Sequence, residues 1–214
     1  MAAFAPGRLV THDEDLQPAY VARAQAGDAR AFQELYRLHR RDVGRLVARL
    51  MGPRPEVDDV VQEVFLQVFR SLVSFRGESR FSTWLHRVTV NVTLMNIRAA
   101  RSRPGLGNEL TPAHEPTAAE EDSPFDVSAR NQRMRALYAI LDTLSEKKRA
   151  VFILHDIEGV AAAQIAEMVD SPVLTVRTRL FYARREVYAA MAQDKTLGAI
   201  AEELKLAAQE GASR

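Results

Sequence analysis

A short segment of helical apolar spacing, about Ala161 to Val169, runs into Asp170-Ser171 and then into a second segment, about Ser171 to Val187. The second carries Arg177, Arg179, Arg184 and Arg185. Both have the periodicity of a helix, and the residues between them are turn formers. Two helices joined this tightly make a helix-turn-helix, whose second helix enters a DNA major groove. In that helix Ser171 is the expected cap, and Pro172 suits the first turn. Val173, Val176, Leu180, Ala183 and Val187 form one stripe that faces a core. Arg177 and Arg184 lie along one edge of the stripe, and Arg179 lies beyond the other. Thr178, Tyr182 and Arg185 point away from it. An arginine fork matches the major-groove edge of guanine and also binds phosphate.

The rest of the chain is helical in pattern, and strand signals are scarce. Leu16 to Met51 reads as one or two helices ended by Gly52-Pro53. Val57, Val60, Val61, Val64, Phe65, Val68, Phe69 and Leu72 follow one helix face without a gap. Ser74 to Arg80, with Gly77, is a loop. Ser82 to Arg101 is a helix for which Ser82 is the expected cap. Asn131 to Leu144 and Ser145 to Ile157 are helices, broken at Glu158-Gly159. Thr196 to Gln209 suits a short terminal helix.

Charge is sorted along the chain. The net charge is only +1. Yet Arg70 to Arg103 holds seven arginines and one acid, Glu78, while Pro104 to Arg130 holds six acids and one arginine. The second stretch also has four prolines and two glycines, so it reads as a linker with little fixed structure. The expected fold is therefore all-α. Two small helical domains, 16–103 and 130–192, are joined by a flexible acidic linker, 104–129. The second domain holds the helix-turn-helix, and 193–214 is a tail.

Several classes drop out. With no cysteine there are no disulfides and no thiolate metal sites. Met1 to Pro18 lacks the pattern of a signal peptide. No stretch approaches the roughly 20 apolar residues of a membrane span. The reading is a cytoplasmic protein without direct membrane insertion. His86 and His155 have no nucleophile or metal constellation around them, so no catalytic residue, metal or cofactor is expected.

Two further segments carry chemistry. Asp58, Asp59, Gln62 and Glu63 lie off the apolar stripe, with Leu66 among them. An acidic face with one exposed leucine is either a solvated surface or a docking face for basic and apolar groups. Phe75 to Asn91 joins a loop to a helix. Gly77 lets the loop bend. Glu78 and Ser79 can hydrogen-bond a base edge, and Arg76, Arg80 and Arg87 can hold phosphates. That mixture suits single-stranded DNA, although it also suits an ordinary polar loop. Trp84 is read as a packed residue. Asn91, Asn96 and Arg98 can hold an adjacent duplex.

Asp58-Asp-Val-Val-Gln-Glu-Val-Phe65, Phe75-Arg-Gly-Glu-Ser, Phe81-Ser-Thr-Trp-Leu and Val90-Asn91 resemble the first domain of extracytoplasmic-function sigma factors. Leu144-Ser-Glu-Lys-Lys-Arg-Ala-Val-Phe-Ile-Leu, Glu158-Gly159, Gln164-Ile-Ala-Glu167 and Thr175-Val-Arg-Thr-Arg-Leu180 resemble the second. The resemblance implies a factor that binds core RNA polymerase and directs promoter recognition, DNA melting and transcription initiation. It implies that Asp58, Asp59, Gln62, Glu63 and Leu66 dock on the clamp helices of the largest polymerase subunit. Arg76, Gly77, Glu78, Ser79, Arg80, Arg87, Asn91, Asn96 and Arg98 would then meet the minus-ten element. Thr175, Arg177, Thr178, Arg179, Phe181, Tyr182 and Arg184 would meet the minus-thirty-five element. An anti-sigma factor is the implied regulator.

The chain departs from the family's usual residues at several places. Ala161-Ala162-Ala163 replaces a polar helix start. Asp170 and Leu174 stand where glycine is common. Met95 stands where an acid is common, and Tyr182 where a basic residue is. The alternative reading is a helix-turn-helix regulator that does not bind polymerase. It leaves the basic first domain and the Leu66 surface without a role.

Overall fold

The computed structural model describes residues 17–102 and 124–201, and every regular element among them is helical. The first unit holds α1 (Gln17–Gln25), α2 (Ala29–Met51), α3 (Val57–Ser71) and α4 (Phe81–Arg101). The chain turns between α1 and α2 because Gly27 takes φ 91°. Asp28 then caps α2, accepting from the amides of Arg30 at 2.9 Å and Ala31 at 3.2 Å. The Arg23 side chain donates to the same carboxylate at 2.6 Å, and this bond, with the Ala31 amide, holds its pKa below the usual range. α2 ends at Gly52, as expected, with φ 84°.

The second unit holds α5 (Pro124–Thr143), α6 (Glu146–Phe152), α7 (Ala162–Met168) and α8 (Val173–Gln193). A π turn, Ile153–Ile157, extends α6. α5 begins at Pro124, inside the stretch expected to be linker. Proline is a breaker within a helix but suits its first position. Composition alone weighs Pro124 as a breaker. The earlier part of that linker and the tail beyond Ala201 lie outside the described residues. So does most of the Thr196–Gln209 helix, although a helical turn does begin at Gly198.

Two expected caps are corrected. Arg80 and Pro172 hold the cap positions of α4 and α8, and neither helix has a side-chain cap bond. Ser82 lies inside α4, and the Ser171 hydroxyl donates to the Val169 carbonyl at 3.3 Å. Both helices start from an extended residue at ψ 143° or 144°, with no serine in place to close the turn.

One continuous hydrophobic core runs through both units. Val60, Val64, Phe65 and Val68 of α3 and Leu35, Val43, Val47 and Leu50 of α2 are buried in it. So are Val176, Leu180, Ala183 and Val187 of α8, as their spacing predicts. α4 is buried on more than one face, because α2 and α3 cover one side while α6 and α7 pack on another. Thr89 and Thr93 sit in this buried helix, and each hydroxyl donates to the carbonyl four residues back. Among the described residues no helix is long and apolar enough to cross a membrane.

Candidate partner and nucleic-acid interfaces

Asp58, Asp59, Gln62, Glu63 and Leu66 are all exposed on one side of α3. Leu66 is 55% exposed and Phe69 is 61% exposed. Phe69 was expected in the buried stripe. α2 and α4 cover the centre of the stripe, and its edge at Phe69 stays open. Leu66 and Phe69 instead line a groove with Phe32 and Tyr36 of α2, and with Phe65 and Gln62. Its walls are aromatic pairs, Phe32–Phe69 at 5.1 Å and Tyr36–Phe65 at 4.6 Å. Sequence reading found Leu66 but missed Phe32 and Tyr36, which sit at one-turn spacing on α2. The surface is an apolar groove with an acidic flank, which fits a partner offering apolar and basic groups.

The loop after α3 is anchored at both ends and open between them. Phe75 packs on Phe81 at 5.8 Å and on Trp84 at 5.2 Å, so Trp84 is packed as expected. The Gln25 amide donates to the carbonyls of Leu72 and Phe75, tying α1 to the loop's start. Arg76, Gly77, Glu78, Ser79 and Arg80 are all exposed. Gly77 takes φ 73°, a conformation that favours glycine. Glu78 lies 3.9 Å from Arg76, a loose exposed pair that leaves both side chains accessible. Arg87 and Asn91 are exposed on α4, one turn apart. Asn96 and Arg98 are engaged elsewhere. The Asn96 amide donates to Glu63 at 2.6 Å, and Arg98 donates to Glu146 of α6 at 2.9 Å.

The helix-turn-helix is present with the expected turn. Asp170 adopts φ 46°, and the Ser171 amide donates to the Ala166 carbonyl at 3.0 Å. On α8, Arg177, Thr178, Phe181, Tyr182 and Arg185 are exposed, while Thr175 is half-buried. The Arg179 guanidinium donates to the Ser171 hydroxyl at 3.0 Å. Arg184 turns back onto Asp156, donating through Nε at 2.8 Å, and also reaches His155. The Asp156 bond raises the Arg184 pKa. Arg184 thus braces α8 against the π turn, while Arg177 and Arg185 extend outward.

A third site joins the two units and was not read from the sequence. Arg149 of α6 is fully buried. It donates to the carbonyls of Leu50 at 2.8 Å and Met51 at 2.7 Å, at the end of α2, and it pairs with Asp142. Asp142 also accepts from Arg54, whose Nη2 donates to both carboxylate oxygens at 2.8 and 2.9 Å. Burial pulls the Arg149 pKa down, and Asp142 opposes that. Tyr138 donates to the Arg49 carbonyl at 2.9 Å, and its ring lies where a Cβ on Gly52 would come within 2.6 Å. Burial pushes the Tyr138 hydroxyl up to about 12. Arg49 pairs with Glu158 across the same boundary. The run Glu146-Lys-Lys-Arg149 looks like solvated charge. The usable signal was that Arg149 lies one turn before Phe152 and Ile153, both buried.

The family described as Sigma-70 region 2 matches residues 35–103, and Sigma-70, region 4 matches residues 134–187. The chain is 35% identical over 182 residues to the ECF RNA polymerase sigma-E factor of Haemophilus influenzae, covering 79% of this chain and 92% of that protein. It is 33% identical over 190 residues to the RNA polymerase sigma-H factor of Pseudomonas aeruginosa, covering 86% and 96%. Among solved structures, CnrH in complex with the cytosolic domain of CnrY has a TM-score of 0.58 at 24% identity, covering 85% of this chain and all of that one. The sigma factor RpoE in complex with the anti-sigma factor NepR from Bartonella quintana has a TM-score of 0.55 at 18% identity, covering 77% and 98%. These two likenesses are of fold.

Proposed function

Because the chain belongs to the extracytoplasmic-function sigma factors of RNA polymerase, we propose which of its surfaces perform each part of that work. As a sigma factor it binds core RNA polymerase and directs promoter recognition, DNA melting and the start of transcription. It is an initiation factor with no catalytic step, metal or cofactor of its own. It acts in the cytoplasm, where polymerase and promoter meet.

The α2–α3 groove is the core-polymerase site. Asp58, Asp59, Gln62 and Glu63 form its polar flank, and Leu66 and Phe69 its apolar centre. The observation that carries this reading is the exposure of Leu66 and Phe69 beside acidic groups. Contacts of that kind are strong when an apolar centre is sealed by a polar rim. The Gly77 to Arg80 loop meets the minus-ten strand, with Arg76, Arg87 and Asn91 beside it. Asn96 and Arg98 join that surface once their bonds to Glu63 and Glu146 are exchanged for DNA. The exposed face of α8 meets the minus-thirty-five element, with Thr175 and Arg179 flanking it and Arg184 positioning the helix. An anti-sigma factor that covers the α2–α3 groove competes with core polymerase for it.

Leu66→Arg tests the core site. The side chain is exposed, so the variant folds, and core binding should fall at least tenfold because a charge enters an apolar contact, at about 1.4 kcal/mol or more. Co-purification with core polymerase at the wild-type level would overturn the assignment. Arg177→Ala tests the other end. Promoter binding by the holoenzyme should weaken by about 1–3 kcal/mol if Arg177 reads a base bidentately. A phosphate contact would instead weaken all sequences alike and reduce the salt slope. Wild-type affinity and salt slope together would exclude both roles.

A further inference from the structure

The face of α8 opposite the core is not uniformly basic. At 3.6 residues per turn, Leu174, Arg177, Thr178, Phe181 and Arg185 fall within about 100° of the helix surface. The buried stripe of Val176, Leu180, Ala183 and Val187 lies on the other side. Leu174 is 74% exposed and Phe181 is 62% exposed. The Thr178 hydroxyl donates to the Leu174 carbonyl at 2.9 Å. Its one donor is therefore used within the helix, which leaves its methyl and the oxygen's acceptor side for a partner. The result is an apolar row at positions i, i+4 and i+7, with Arg177 beside it and Arg185 one turn beyond its end. A single exposed leucine needs no explanation, but an aligned row with Arg177 along one side and Arg185 one turn past its end, on a DNA-facing helix, does.

Leu174 is the second residue of α8. The first residues of a recognition helix are those that reach base edges. On those edges in the major groove, the apolar group is the C5-methyl of thymine, and short apolar side chains read it by contact. We propose that Leu174 is a specificity-determining residue that packs on a thymine methyl in the upstream promoter element, with Thr178 and Phe181 continuing the apolar row. This rests on the reading of α8 as the minus-thirty-five contact. It assigns a base preference to a residue outside those that the resemblance places on this element.

The test uses holoenzyme reconstituted from the full chain and core polymerase. Duplexes randomised over the upstream element are selected for binding, and each thymine in the best sequence is replaced in turn by deoxyuridine, which lacks only the methyl. Wild type should lose about fourfold in affinity at one thymine, the effect of leaving one methyl-sized group unburied. Leu174→Ala should bind the thymine and uracil forms of that position equally, while other thymines keep their ratios. The proposal is overturned if wild type is indifferent to every uracil, or if Leu174→Ala keeps the wild-type ratio at each. It is also overturned if Leu174→Ala weakens only a co-purifying protein inhibitor, which would make the row a protein-docking face. Arg177→Ala separates the two levels. If it leaves upstream binding untouched, the reading of α8 itself fails. If it weakens binding while Leu174→Ala keeps full discrimination, only the leucine contact fails.

Discussion

Arg149→Met should cost the folded protein about 2–6 kcal/mol, the scale for leaving two buried carbonyl acceptors without their donor at about 1–3 kcal/mol each. The side chain is wholly inside the protein and bridges three acceptors. Two are the carbonyls of Leu50 and Met51, which end α2 and have no further helical turn to bond them. The third is Asp142, which keeps Arg54 in the variant and so is not left uncompensated. Methionine fills much of the vacated volume, so the loss is chiefly of hydrogen bonds and charge pairing. A urea midpoint lowered at constant slope would report the stability change. An unchanged midpoint would mean that Arg149 adds nothing net.

The same residue bears on function, because its partners lie on different units. The minus-ten and minus-thirty-five elements are about 25 base pairs apart, roughly 85 Å along the duplex. A compact chain of this length has a radius of gyration of about 17 Å. The packed arrangement cannot touch both elements at once. Under the proposed function, α6 and α7 must leave α4 when promoter and core polymerase are engaged. The Arg149, Arg54–Asp142, Arg49–Glu158 and Arg98–Glu146 contacts are what that separation breaks. Arg149→Met should therefore raise the radius measured by small-angle scattering as well as lower stability.

What could be read in advance follows from the range of the forces involved. The helix-turn-helix was legible because its stripe, its turn residues and its arginines are local in sequence. Gly77 was legible because a positive φ is a property of one residue. The exposed acidic face with Leu66 was visible as a break in helical periodicity. Phe69 was misplaced because periodicity reports a direction on the helix and not how far a neighbouring helix reaches. Ser82 and Ser171 were misassigned as caps because helix ends shift by a residue or two with tertiary context. Arg149 was missed because the carbonyls it serves lie about 100 residues away. No local pattern marks a charged residue as buried by a distant helix end.

Acidification between pH 7 and 5 should destabilise the first unit by about 2 kcal/mol through His86 alone, at 1.36 kcal/mol per unit of pKa difference. His86 of α4 and His39 of α2 are both buried, and His39 packs on Phe81 at 5.4 Å. Burial pulls the His86 pKa from 6.5 down to about 4, with His39 lowering it further and Asp42 opposing. Burial lowers His39 as well. Asp42 is already paired with Arg45, so it is a poor counterion for a new imidazolium. The unfolded chain thus binds more protons than the folded one between pH 6.5 and 4, and stability falls as pH falls through that window. The stability is fully present above 6.5. The carboxylates with lowered pKa, Asp28 and Glu146, act at lower pH and do not blur the slope down to pH 5. His86→Leu keeps an apolar side chain in the site and removes the titration. Its urea midpoint should change much less between pH 7 and 5 than that of wild type, the residue being His39. A wild-type midpoint that stays flat from pH 7 to 5 would show that His86 is protonated in the folded protein at little cost.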